Sequence, residues 1–385
     1  MVKLYEKDPY LREFESVVVS CEKGKKGYEL VLEDTAFYPE GGGQPYDVGM
    51  IDSTRVTEVH EKDGQVVHFV EEPFAPGRRV HGEINWQRRF DNMQNHSGEH
   101  VLSGLIHERF GYDNVGFHMG SDVVTIDFNG IIEEEELQQL ETAANEIVYK
   151  NVPLEIRFPD SEELRAMEYR SKKALEGRIR IVTVPGADVC ACCGTHVKRT
   201  GEIGIIKTLG MIHYKGGVRI SMLCGRRALE LFELRQKQVG SIVNLLSAKP
   251  GGVTDAVERL LKENGEKDGR LNRLYQRMFE KLAADYPDSG GRLCVFEPDL
   301  EPVQVRQLCN LLVENNKGAV VLTCSGNDTE GYKYVIGSKT EDMRPESKRL
   351  NGLLNGRGGG SSQMAQGTFQ AGRASIEHAF MQERD

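Results

Sequence analysis

Two short pairs of metal-ligating side chains, far apart in the chain, constrain the fold more than any other feature. His96-Ser97-Gly98-Glu99-His100 lies in a stretch with helical periodicity, and a spacing of four puts both imidazoles on one helix face, one turn apart. Cys192 and His196 repeat that spacing inside the cysteine- and glycine-dense turn Cys190-Ala191-Cys192-Cys193-Gly194-Thr195-His196. One thiolate and three imidazoles form a borderline-soft tetrahedral set that suits Zn2+. A chain that spends all four on one ion must fold so that a helix meets a distant turn. The competing reading is two unrelated clusters of solvated or hydrogen-bonded side chains. The pattern is not that of a zinc protease, which needs His-Glu-x-x-His, because Glu99 directly precedes His100.

Composition narrows the class. A length of 385 residues suits two or three domains. Lys and Arg total 49 against 59 Asp and Glu, a net charge of −10 that argues against non-specific wrapping of nucleic acid but leaves room for a local basic path. No apolar run approaches the roughly 20 residues of a membrane span, so no membrane partner is expected. The start, Met1-Val2-Lys3-Leu4, lacks the apolar core of a secretion signal. A cytoplasmic protein is therefore expected, with its 8 cysteines as thiols or metal ligands.

Patterning along the chain predicts an α+β protein with four parts. Residues 1–90 read as a β-rich, barrel-like subdomain, with alternating runs at Ser16–Cys21, Tyr28–Leu32 and Val66–Val70. Residues 91–235 read as a two-layer α+β zinc-binding core. Its helix begins near Trp86 and carries Met93, Val101, Leu102 and Leu105. A strand at Val123–Phe128, a helix at Glu133–Tyr149 and strands at Arg178–Val184 and Ile203–Thr208 follow. Residues 236–288 read as a helical hairpin broken at Lys249-Pro250-Gly251-Gly252. Val253, Val257, Leu260, Asn264, Lys267, Leu271, Leu274 and Met278 form a heptad seam in it, interrupted by two polar members. The two helices packing on each other is one use of that seam; a homodimer, through the hairpin or the C-terminal domain, is the other. Residues 289–385 read as a small α/β domain with strands at Leu293–Phe296, Ala319–Cys324 and Tyr332–Ile336 and helices at Val303–Glu314 and Glu346–Leu354. Its glycine cluster, Gly356-Arg357-Gly358-Gly359-Gly360, is either a flexible turn or a place where backbone approaches a ligand. It has no Gly-Lys-Ser/Thr ending and is not a P-loop.

Phe37-Tyr38-Pro39-Glu40-Gly41-Gly42-Gly43-Gln44 adds a shaped loop in which aromatic residues flank three glycines. Taken with the two metal-ligand pairs, it resembles the editing domain of alanyl-tRNA synthetase. Thr200-Gly201-Glu202-Ile203-Gly204 and Gly217-Val218-Arg219-Ile220 match that family's continuation, and the glycine run before Met364-Ala365-Gln366 resembles its DHH-associated C-terminal domain. The chain begins at the β-rich region and shows neither an upstream class II aminoacylation core nor an Asp-His-His signature. That combination is similar to the long form of the free-standing alanyl-tRNA editing family.

The resemblance implies trans-editing hydrolysis of tRNA(Ala) carrying Ser or Gly, with His96, His100, Cys192 and His196 on zinc. The family turn usually reads Cys-Gly-Gly-Thr-His. Alignment on His196 selects Cys192, with Cys190 and Cys193 as neighbours that could exchange with it. The ion would polarise a water or the carbonyl, or instead anchor the substrate amino group. The resemblance makes Thr35 and Gln44, with His96 and His100, the catalytic candidates; the plainer readings are a strand threonine and a turn hydrogen bond. Gly41, Gly42 and Gly43 would touch substrate. His118 would be a base, or a structural histidine at a strand edge. Candidates for tRNA phosphates are Arg170, Lys172, Lys173, Arg178, Arg180, Arg219, Arg226, Arg227, Arg344, Lys348, Arg349 and Arg357, with the backbone of Gly358, Gly359 and Gly360. The competing functions are a zinc-stapled tRNA-binding module without catalysis and, more remotely, a phosphoesterase, for which carboxylate clusters are lacking.

Overall fold

The computed structural model describes residues 1–25, 27–171 and 178–382. The chain is mixed α+β and divides into two compact units, Met1–Ser241 and Ile242–Asp385.

In the first unit, six antiparallel strands close into a barrel. They are β1 (Glu13–Gly24), β2 (Gly27–Leu32), β3 (Gly49–Ile51), β4 (Thr54–Lys62), β5 (Gln65–Val70) and β6 (Arg79–Ile84), in the order β1-β2-β5-β4-β3-β6. Closure removes the open strand edges that would otherwise invite pairing with other chains. Alternation along the strands sends Leu30, Leu32, Val56, Val66 and Ile84 into one interior with Phe14 and Phe37.

Asn85 caps the next element, α1 (Trp86–Phe110), by accepting from the Arg88 N–H at 3.0 Å, and Gly111 ends it in the left-handed conformation at φ 70°. Beyond it lie β7 (Asn114–Met119), β8 (Val124–Phe128), α2 (Glu134–Lys150), β9 (Glu155–Arg157), β10 (Ile181–Val184), β11 (Asp188–Ala191), β12 (Ile206–Tyr214) and β13 (Gly217–Cys224). Strands β12-β13-β8-β7 form one sheet and β9-β10-β11 another. Met93, Val101 and Leu102 of α1 share a core with Ile126, Ile220 and Leu140.

Helix α1 is unusual for a buried helix, because most of what it buries is polar. Arg89, Asp91, Asn92, Gln94, Asn95, His96, Ser97, Glu99, His100 and Ser103 are all buried. Such groups are tolerated inside only when paired. Arg89 sets the pattern: its guanidinium, wholly buried, donates from Nε to Asp47 at 3.0 Å, from Nη1 to the Pro9 carbonyl at 2.8 Å and from Nη2 to the Ala36 carbonyl at 2.6 Å. Asp47 in turn accepts from the Tyr38 N–H at 2.7 Å. The pair therefore pins the first turn of α1 to the loop between β2 and β3.

Two sequence expectations shift here. Ile203–Thr208 is not one strand: Thr200–Ile203 forms a 3-10 turn, Gly204 takes φ 81°, and the strand starts at Ile206. The strand expected at Arg178–Val184 begins only at Ile181, and Lys172 and Lys173 lie outside the described residues.

Helices α3 (Gly225–Leu246) and α4 (Val253–Asp285) stand on either side of the Lys249–Gly252 breakers. Of the heptad positions, Leu260, Leu271, Leu274 and Met278 remain exposed in the single chain. In the second unit β14 (Arg292–Phe296), α5 (Pro302–Glu314), β15 (Val320–Asn327), β16 (Gly331–Ser338), α6 (Met343–Leu353), β17 (Arg357–Gly360), β18 (Met364–Phe369) and α7 (Arg373–Met381) follow. The sheet order is β14-β15-β16-β18-β17. Along β15, Val321 faces α5 and the end of α4, while Leu322 and Cys324 face α6 and α7. The glycine cluster is a strand and not a turn. A side chain at Gly358 or Gly360 would strike the Gln366 or Met364 carbonyl of β18, at 2.3 and 2.2 Å, so glycine permits this pairing. No helix among the described residues is long and apolar enough to cross a membrane.

Arg89→Ala is expected to cost about 3–5 kcal/mol in urea unfolding, because Asp47 is left buried and unpaired. Replacing both residues together by apolar ones should recover most of that loss; equal instability of single and double variants would contradict the pairing.

Candidate metal centre

The two sequence pairs converge. His96, His100, Cys192 and His196 present ligand atoms that all lie within 4.8 Å of one another, with the three histidines buried. Cys192 Sγ is 3.4 Å from His96 Nε2 and 3.4 Å from His196 Nε2. A tetrahedral zinc with ordinary bond lengths would separate sulfur and nitrogen by about 3.5 Å. The donor set and spacing fit that ion.

Each imidazole is held by its other nitrogen, which leaves Nε2 turned to the centre. Gln44 Oε1 accepts from the Thr195 N–H at 3.1 Å, and Gln44 Nε2 donates to Thr195 Oγ1 at 2.9 Å, so the orientation of the amide is determined. His96 Nδ1, 2.8 Å from the same Oε1, must therefore carry a proton, and its Nε2 lone pair is free for a metal. His100 Nδ1 donates to Asp188 at 2.8 Å, and Asp188 is gripped by Arg170 through two bonds of 2.8 Å. His196 Nδ1 lies 3.2 Å from Ser97 Oγ, which also accepts from the Val197 N–H. Phe117 stacks on His96 at 5.1 Å between ring centroids.

Local backbone makes this approach feasible at two glycines. Gly41 and Gln44 exchange backbone hydrogen bonds around Gly42 and Gly43, whose φ of 58° and 85° describe a type I′ turn; a side chain at Gly43 would also strike Phe117 at 2.5 Å. A Cβ at Gly194 would sit 2.1 Å from the His96 ring. The turn carrying the cysteines is clamped by Arg180, whose Nη1 donates to the Cys192 and Gly194 carbonyls at 2.7 and 2.9 Å.

Electrostatics separate the three neighbouring thiols. Burial pushes the Cys190 thiol up to about 11 and raises Cys193 as well. Burial opposes ionisation of Cys192 too, but His96, His196 and His100 outweigh it and hold its thiol well below the usual range. Cys192 is the ready thiolate of the three. Burial lowers His196 to about 3, so it stays a neutral ligand.

The remaining candidates are held by other partners or exposed. Thr35 is buried, accepts from the Phe37 N–H at 3.1 Å and lies 2.7 Å from His68 Nε2. His68 Nδ1 must donate to the Leu30 carbonyl at 3.0 Å, so the Thr35 hydroxyl donates to Nε2. His118 is exposed on β7, at the sheet edge. Several cations read as phosphate binders are already occupied: Arg170 on Asp188, Arg180 in the cysteine turn, Arg219 on Asp127 across paired strands at 2.6 and 2.7 Å, Arg226 on Asp91, Arg344 on Asp342 and Arg349 on Glu346. Arg178 lies over the Phe158 ring, and Arg227 bonds the Gly120 and Ser121 carbonyls. Lys348, Arg357, Gly358, Gly359 and Gly360 are exposed. Sequence reasoning missed Asp188, Ser97 and Thr195 as supports; the one available signal was Asp188 sitting just ahead of the cysteine turn.

Gln44→Ala and Gly194→Ala should each weaken zinc binding about 10- to 100-fold in competition with a chromogenic chelator, without unfolding the protein. Unchanged affinity in both would show that the ligand set needs no such orientation. Burial holds His68 at about 4, below the 6.5 of an unfolded histidine. The buried ring stays neutral, so its stabilisation is complete above pH 6.5 and falls by about 3 kcal/mol as pH drops toward 4. Chemical unfolding at several pH values should lose that slope in His68→Gln; an identical slope would exclude His68 as its source.

Comparison with known proteins identifies the family. A family model described as tRNA synthetases class II (A) matches residues 9–88, and one described as the threonyl and alanyl tRNA synthetase second additional domain matches residues 179–221. The chain is 30% identical to alanyl-tRNA editing protein AlaX-L of Pyrococcus horikoshii, over 96% of this chain and 95% of that one. It is 28% identical to alanyl-tRNA editing protein Aarsd1 of Danio rerio, over 98% and 97%. Alanine–tRNA ligase of Pyrococcus abyssi is 30% identical over 95% of this chain but 42% of its own length. With a full-length relative at that identity and its imidazoles and thiolate gathered at one centre, this chain belongs to the alanyl-tRNA editing protein family.

Proposed function

We propose that the chain is a trans-editing hydrolase that removes Ser, Gly or both from mischarged tRNA(Ala), in the cytoplasm and with zinc at the described centre. The observation that carries this reading is the cluster of three imidazoles around one thiolate, each imidazole oriented through Nδ1. Family membership supplies the substrate class.

The need for such a site follows from affinity differences. A pocket built for Ala cannot strongly reject Gly, which lacks one methyl, or Ser, which adds one hydroxyl, since each difference is worth about 1–3 kcal/mol. A second site must destroy the wrong ester. His96, His100, Cys192 and His196 would hold the zinc, which when bound supplies Lewis acidity toward a coordinated oxygen or a grip on the substrate amino group. Gln44 spends its carbonyl on His96 and Thr195, which supports a positioning role. Asp188, backed by Arg170, holds the proton on His100 Nδ1 and so keeps that ring from turning away. Gly43, packed on Phe117, closes one wall beside His96.

One observation favours a second reading, a zinc-stapled tRNA-binding module. Four protein ligands complete a tetrahedral shell, as structural zinc sites do.

Serine release from Ser-tRNA(Ala) by the full chain separates the two. The hydrolase reading predicts turnover by wild type and a loss of about 100-fold or more in His100→Ala, with the circular dichroism of the folded state retained. No serine release by zinc-loaded wild type, together with unfolding of His100→Ala, would establish the binding module instead.

A further inference from the structure

We infer that a cavity one helical turn from the metal centre binds a phosphodiester of the RNA substrate beside its 3′ end; this rests on the hydrolase reading above. The cavity encloses about 450 Å3, and Pro45, Arg88, Asn92, Gly120, Arg226 and Arg227 are among its walls. Its connection to the centre is covalent and short. Asn92, His96 and His100 recur at spacing four on one face of α1. Pro45 follows Gln44, and Met119, another wall, donates its N–H to the Gly43 carbonyl at 3.0 Å.

The lining is rich in donors. Asn92 is only 5% exposed, and its Nδ2 has no hydrogen-bond partner among the described residues. A buried amide left unpaired within a folded protein marks either a cost or a ligand. Arg88 spends Nε on the Tyr46 carbonyl at 3.0 Å and lies over the Tyr46 ring at 5.6 Å, and its terminal amines have no hydrogen-bond partner among the described residues. Arg227 spends Nη2 on the Gly120 and Ser121 carbonyls at 2.9 and 2.6 Å. Arg226 pairs with both Asp91 and Glu230, which also line the cavity, so three arginines face two carboxylates and the lining keeps a net charge of 3 − 2 = +1. That positive charge comes from Arg88 and Arg227, which stand outside those ion pairs beside an amide donor.

Planar guanidiniums with an N–H donor select an anion that offers several acceptor oxygens. In an aminoacyl-RNA the amino acid has no carboxylate, because that group is the ester. The nearest anion is the phosphodiester of the same terminal nucleotide, one sugar away from the scissile bond. A phosphate held there would set the register of the 3′ end against His96, as phosphate contacts do in nucleic-acid complexes generally.

The test uses the full chain and a labelled acceptor-stem RNA hairpin, with and without a neutral methylphosphonate at its last linkage. Fluorescence anisotropy should show the neutral linkage weakening wild-type binding about tenfold. Asn92→Asp and Arg88→Ala should each weaken binding of the native RNA by a similar factor, and in both variants the neutral linkage should then cost less than about twofold more. Additive losses, or a wild type indifferent to the methylphosphonate, would overturn the proposal. Inorganic phosphate is the second probe: competition by it without any methylphosphonate effect marks a free-anion site and equally overturns the proposal. Serine release from Ser-tRNA(Ala), measured on the same wild-type sample, tests the hydrolase reading separately, so the two failures are distinguishable.

Discussion

A helix that carries its polar side chains inward holds this unit together only because nearly every one of them is answered. α1 buries Arg89, Asn95, His96, Ser97, Glu99, His100 and Ser103, where a comparable helix would bury Leu and Ile. Unpaired, such groups would cost more than the surrounding apolar core returns. Their partners come from everywhere around the helix: Asp47 and Ala36 from the barrel loop, Gln44 from the glycine turn, Asp188 from β11, Ser97's contacts from the cysteine turn. Satisfying α1 is thus the same act as assembling the barrel, the two sheets and the metal centre.

That coupling explains the placement of chemistry on rigid elements. Two ligands stand on a capped helix, and the others stand on a turn whose carbonyls are clamped by Arg180. The supporting shell then decides tautomers. Oε1 of Gln44 cannot donate, so His96 keeps its Nδ1 proton, and the carboxylate of Asp188 does the same for His100. Glycine enters where a methyl group would intrude: Gly194 against His96, Gly43 against Phe117.

The ligand spacing was legible in the sequence because a helix and a tight turn both convert four residues into one short distance. The strand stretches at Tyr28–Leu32 and Val66–Val70 were legible for the same reason, as alternation is a local property. Gln44 and Asp188 were not legible as supports, because 52 and 88 residues separate them from the histidines they hold. Arg170, Arg180 and Arg219 read as free cations, since a charge looks the same in sequence whether or not the fold brings a carboxylate or a carbonyl beside it, as Asp188, the Cys192 carbonyl and Asp127 are brought here. Residues 356–360 read as either a flexible turn or a place where backbone approaches a ligand, whereas Arg357–Gly360 is a strand whose glycines permit close pairing at a sheet edge. The family resemblance supplied the substrate, which no periodicity encodes.

The central claim is one sulfur and three imidazole nitrogens on one ion. Zinc K-edge X-ray absorption of the zinc-loaded full chain measures that shell directly. The account predicts a single sulfur at about 2.3 Å with three nitrogens at about 2.0–2.1 Å, and loss of the sulfur in Cys192→Ala. A wild-type shell with no sulfur, or with a second one drawn from Cys190 or Cys193, would contradict it.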